Sequence, residues 1–155
     1  SMIQGVHAET VAFVDYKQAA QVLEPRSWSW LGEPAEFSAR RLRLEATPAR
    51  DCRLRVTRVQ VLKHALVCTL HLESFEAPPG TAFIRGDLTV TASSDGNAAS
   101  RCVLSFQGLA SRNLATSSGP ASADRSLRLA NEYARSFLSQ VAGALEREGA
   151  ALSIG

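Results

Sequence analysis

The chain has 155 residues, the size of one domain and long enough to bury a substantial core. Hydrophobic residues make up 45% and charged residues 21%, a globular and not a disordered composition. A formal net charge of +2 is too small for electrostatic nucleic-acid binding, so no nucleic-acid partner is expected, and no apolar run approaches the ~20 residues of a membrane-spanning helix.

The opening segment 6–14 (VHAETVAFV) alternates weakly and predicts a strand. Residues 16–25 follow as a short helix, with Asp15 as N-cap and Pro25 as its end. The stretch 26–34, which holds Trp28, Trp30 and Leu31, reads as a turn-rich connector.

From residue 36 the period becomes two. In 36–46, Leu42, Leu44 and Ala46 share one strand face. In 52–63, Cys52, Leu54 and Val56 do so, and the apolar phase then moves to Val59 and Val61, which predicts a bulge at Thr57-Arg58. Segment 64–76 aligns Leu66, Cys68, Leu70 and Leu72, and 82–92 aligns Ile84, Leu88 and Val90 around Gly86. Asp95-Gly96 marks a hairpin loop, and 101–109 aligns Cys102, Leu104 and Phe106 with Gly108. Short connections cannot make parallel crossovers, so the five strands from 36 to 109 are expected to form an antiparallel meander. The bulge and the two glycines favour a coiled sheet.

After a polar linker at 110–125, segment 126–148 is the clearest helix. Leu127, Ala130, Ala134, Phe137, Val141 and Leu145 form one stripe, with Ser122 or Asp124 as the cap and Gly149 as the end. The fold class is therefore α+β, a curved antiparallel sheet gripping a long C-terminal helix. One domain is expected over 3–149, with 150–155 as a tail and Ser1-Met2 as a cloning remnant, so that the domain would belong to a longer protein.

Chemistry is sparse. His7, His64 and His71 lie far apart and show no ligand spacing with one another or with cysteine, so no metal site is expected. No phosphate loop, serine elbow or zinc-helix motif occurs, and Asp15 and Glu9 have no evident base partner. Cys52, Cys68 and Cys102 are isolated and odd in number, which points to buried free thiols in a reducing compartment. The expectation is a protein that is not an enzyme and uses no cofactor.

The order of elements resembles the helix-grip architecture of START-like (SRPBCC) domains. Four segments, RRLRLEATP (40–48), TRVQVLK (57–63), PPGTAF (78–83) and RCVLSF (101–106), are most similar to a VASt domain, the lipid-binding module of sterol-transport proteins at membrane contact sites. The resemblance implies one apolar ligand, such as a sterol, held between sheet and helix. Leu44, Val56, Leu70, Leu88, Leu104, Phe106, Phe137 and Val141 would line its pocket. Trp28, Trp30 and Leu31 would either plug one end of the core or form a movable pocket lip that covers the cavity or touches a membrane surface. It also implies a soluble domain at the cytoplasmic face, within a larger and membrane-anchored protein. Two other readings use the same body: a collapsed-core interaction domain of pleckstrin-like or polo-box-like kind, and a small polyketide-cyclase-like enzyme. The last would need polar groups inside, where the assignable strand positions are apolar.

Overall fold

A computed structural model of the chain describes residues 3–41, 52–74, 82–92, 101–111 and 120–154. In chain order the elements are β1 (Ile3–Ala12), α1 (Tyr16–Trp30), α2 (Gly32–Arg41), β2 (Cys52–Val61), β3 (Ala65–Ser74), β4 (Ala82–Ala92), β5 (Cys102–Ser111) and α3 (Pro120–Ile154). The strands form one sheet in the order β1-β5-β4-β3-β2, with every neighbouring pair antiparallel. No described helix is long and apolar enough to cross a membrane.

Each strand buries alternate residues, as a sheet covered on one face must. Val6, Ala8 and Ala12 of β1 face inward with Leu66, Cys68, Leu70 and Leu72 of β3, and with Ile84, Leu88 and Val90 of β4. Cys102, Leu104, Phe106 and Ala110 complete this face from β5. The opposite face mixes polar groups with the exposed Val11 and Leu109, and on it Thr69 donates its hydroxyl to Asp87 Oδ1 at 2.8 Å across β3 and β4.

The curl of the sheet has a local cause. One row of paired residues crosses all five strands: Val56, Leu70, Gly86, Gly108 and Val6. The expected bulge falls beside this row, where the β2–β3 register shifts between Val56 and Arg58. Gly86 and Gly108 stand directly opposite each other. A Cβ on Gly86 would lie 2.5 Å from the Gln107 carbonyl oxygen and 2.6 Å from Gly108 Cα, and one on Gly108 would overlap the Arg85 carbonyl oxygen. Missing side chains on the concave side let the backbones close up there, and the extra residue in β2 adds twist. This is the helix-grip arrangement, a curved antiparallel sheet folded around its C-terminal helix.

Helix α3 runs alongside β1 in the same direction. The His7 amide donates to Asn131 Oδ1 at 3.3 Å, and the Phe13 amide donates to Glu146 Oε1 at 3.0 Å. The helix rises ~22 Å between those two contacts, close to the ~20 Å of strand from 7 to 13. The two side chains thus cap amides on the outer edge of β1, which would otherwise be open to strand addition. The inner stripe of α3, including Ala130, Ala134, Phe137, Val141 and Leu145, is buried as its spacing predicts. Helix α2 is fixed to α3 by two buried bonds: Tyr133 donates its hydroxyl to the Ala35 carbonyl at 3.2 Å, and Ser136 to Ser38 Oγ at 3.1 Å.

Several expectations are corrected. Pro25 does not end α1, which continues to Trp30. Interior proline costs ~3 kcal/mol, but Leu23 and Leu31 are both fully buried and contribute ~1.5–3 kcal/mol each, enough to hold the helix on both sides of it. The connector at 26–34 is accordingly helical except for the turn at Leu31. Residues 36–41 belong to α2 and not to a strand, because Leu31, Pro34, Ala35 and Ser38 all face the core at helical spacing; residues 42–46, with Leu44, lie outside the described residues. Among the described residues the fifth strand of the sheet is β1, and the meander comprises β2 to β5.

The remaining correction concerns α3, which starts at Pro120 and continues through Gly149 to Ile154. Pro120 occupies the first helical position, where its missing N–H is harmless, so Ser122 and Asp124 lie inside the helix and do not cap it. Gly149 is a packing residue and not a stop: a Cβ there would stand 2.5 Å from Val14 Cγ2.

Candidate functional site: an apolar cleft beneath the C-terminal helix

Between the concave face and α3 lies a cleft lined by Leu54, Leu70, Leu72, Ile84, Phe106, Tyr133, Ala134 and Phe137. Strands β2 to β5 supply the first five and α3 the other three. The Gly86–Gly108 contact positions it, since the Phe106 ring fills the space over Gly86 that a side chain would occupy, with Cζ 2.9 Å from an ideal Cβ. On the helix side Tyr133 and Phe137, one turn apart, stack with centroids 6.2 Å apart and planes 7° apart. The Tyr133 hydroxyl is the single polar side-chain group among the described lining residues, and it is bonded to the Ala35 carbonyl. The exposed lining is wholly apolar.

The cleft is narrow. Its volume is about 10 Å³, the room of roughly one water-sized probe. Drug- or sterol-sized ligands occupy sites of ~300–1,000 Å³. Sheet and helix therefore meet in a nearly closed seam, not around a preformed cavity of that size.

Leu70, Phe106 and Phe137, expected as lining, meet in this cleft. Val56, Leu88, Leu104 and Val141 are buried in the surrounding core without lining it. Leu44 lies outside the described residues. Leu54, Leu72, Ile84, Tyr133 and Ala134 also line it, beyond the expected lining; they stand on the inward strand faces and on or beside the helix stripe, and alternation identifies a face but not the layer of it that stays open. Leu31 is fully buried, which removes it from any exposed lip. Trp28 and Trp30 lie in the last turn of α1, and their side chains are outside the described residues.

Cys68 and Cys102 are buried free thiols. Burial pushes Cys68 up to about 11, and burial, assisted by the negative charges of Asp15 and Glu146, pushes Cys102 up to about 11 as well. Both stay protonated near neutral pH and are poor nucleophiles. Among the described residues no group of three His, Cys, Asp or Glu side chains is placed to hold a metal ion.

No protein-family model and no curated protein matches this chain. Of the segments that resemble a VASt domain, the first begins with Arg40 and Arg41, which are helical here. Among solved structures the chain is similar to a hypothetical protein from Helicobacter pylori, with 11% identity and a TM-score of 0.48, over 91% of this chain and 87% of that one. It is also similar to the ZhuI aromatase/cyclase from a Streptomyces species, with 14% identity and a TM-score of 0.44, over 94% of each chain.

Proposed function

We propose that this domain binds one small apolar molecule, without covalent chemistry, in the cleft between the sheet and α3. The observation that carries the reading is the wholly apolar lining of that seam, with its one hydroxyl turned to the Ala35 carbonyl. Such a site recognises shape and apolar area, worth ~25 cal/mol per Å² buried. The closed seam must open to admit a ligand, which suits a slender acyl chain threading past Phe106 and Phe137 better than a rigid sterol. Binding and not catalysis is the role proposed, because among the described lining residues there is no acid, base or activated nucleophile.

A second reading, a collapsed-core interaction domain, is favoured by the cleft volume of about 10 Å³. Titration with a fluorescent fatty acid separates the two. The binding reading expects saturable 1:1 uptake by the wild type, and its loss in Ala134→Leu with unchanged helical content, because the larger side chain fills the cleft. Absence of saturable uptake by the wild type sinks it and leaves the collapsed core.

A further inference from the structure

One end of the sheet carries a surface that the cleft does not explain. The last residues of β1, β2 and β4 and the first of β3 and β5 meet there, since Ala12 and Ala92 both pair with Cys102, and Leu62 closes onto Ala65 with an N···O distance of 2.7 Å. Large apolar side chains lie open on both flanks: Phe13 is 64% exposed on the β1 side, and Leu62 48% and Val61 46% on the β2 side. Tyr16 links the flanks by donating its hydroxyl to the Leu62 carbonyl at 3.2 Å. Between and beside them stand the exposed cations Lys17, Lys63 and Arg101, with the Arg101 guanidinium 5.2 Å from the centre of the Phe13 ring. Among the described residues the nearby acids are less available. Asp15 is half-buried, and Glu146 is half-buried and accepts the Phe13 amide. Arg147 and Glu148, the next exposed charges along α3, cancel.

We propose that this sheet end docks onto an anionic membrane surface, with Phe13, Val61 and Leu62 entering the headgroup layer and Lys17, Lys63 and Arg101 meeting lipid phosphates and carboxylates. Apolar groups separated by cations suit a lipid interface, where both are favoured. They suit a second protein less well, because protein interface cores are depleted of lysine. The docking surface is independent of whether the cleft takes a ligand.

Vesicle flotation with the full chain tests it, comparing neutral phosphatidylcholine with vesicles in which phosphatidylserine replaces about a third of the lipid. The expected result is flotation with the anionic vesicles alone, suppressed at high salt. Lys63→Gln should weaken it about fivefold, the value of one lysine at such a surface. Phe13→Ser with Leu62→Ser should abolish it, while the circular dichroism spectrum is unchanged and the melting temperature falls by only a few degrees, because both side chains are largely exposed. Failure of the wild type to float, equal flotation with neutral vesicles, or indifference to these substitutions would overturn the proposal. So would concentration-dependent dimerisation lost in the serine double variant without vesicle binding, which would assign the surface to a second copy of the chain.

Discussion

Replacing Gly108 by alanine tests the account of the curved sheet. Two effects oppose each other. Alanine restricts the unfolded chain and stabilises by ~0.4–1 kcal/mol where its Cβ fits. Here the Cβ overlaps the Arg85 carbonyl oxygen, and the Gly86 Cα stands 2.8 Å away. Both are backbone atoms of a paired strand, so they cannot rotate aside as a side chain would; relief requires β4 and β5 to separate along their ladder. Overpacking of this kind costs ~1–3 kcal/mol, and the rigidity of the clash places it in the upper half of that range. The net loss is about 2 kcal/mol, which for a chain of this size lowers the melting temperature by ~4–8 °C. Gly5→Ala is the control, because a Cβ on Gly5 has nothing within 4 Å. Urea unfolding followed by circular dichroism should separate the two variants clearly. If Gly108→Ala proves as stable as Gly5→Ala, the close glycine contact does not shape the sheet.

Tyr133→Phe removes the side-chain donor to the Ala35 carbonyl, which sits within α2, and should cost about 1 kcal/mol in denaturant unfolding, with little change in secondary structure. For Ser38 and Ser136, either alanine variant should destabilise by about 1 kcal/mol, but the double variant by much less than the sum, read from a double-mutant cycle. The thiols predict a pH dependence. Cys68 and Cys102 ionise near 9 when unfolded and near 11 when folded, so their stabilising effect is complete below pH 9 and falls as pH rises towards 11. The loss is on the order of a few kcal/mol and should shrink in Cys68→Ala/Cys102→Ala, measured as the difference in unfolding free energy between pH 8 and pH 10.5.

The strands after residue 52 were readable because each obeys a simple rule, apolar alternation between short connections. The phase change from Val56 to Val59 even located the bulge, as an extra residue must shift every later side chain to the other face. Helix α2 is hard to read because its described buried residues are Pro34, Ala35 and Ser38, and the one large apolar residue beside them, Leu31, precedes the helix. Pro25 and Gly149 misled for a shared reason. Both are local helix breakers, and tertiary packing outweighs each: buried leucines flank the proline, and Val14 occupies the space where a Cβ on Gly149 would go. The cleft was legible by face but not by volume. Which inward residues stay open depends on how far the sheet bends at Gly86 and Gly108, and that distance is set between strands and not along them.

The pairing of β1 with β5 also fixes when the molecule can be finished. Ala12 meets Cys102 across roughly 90 residues of intervening chain, which a ribosome adds in about 5–18 s. For that interval the first strand emerges with neither its sheet neighbour nor the helix whose Asn131 and Glu146 later cover its outer amides. The β2–β5 meander needs only neighbouring segments and can assemble while synthesis continues. Completion waits for the last segment made, so a ribosome stalled before α3 would hold a nascent chain with an uncapped strand, the state in which this protein is most open to joining another.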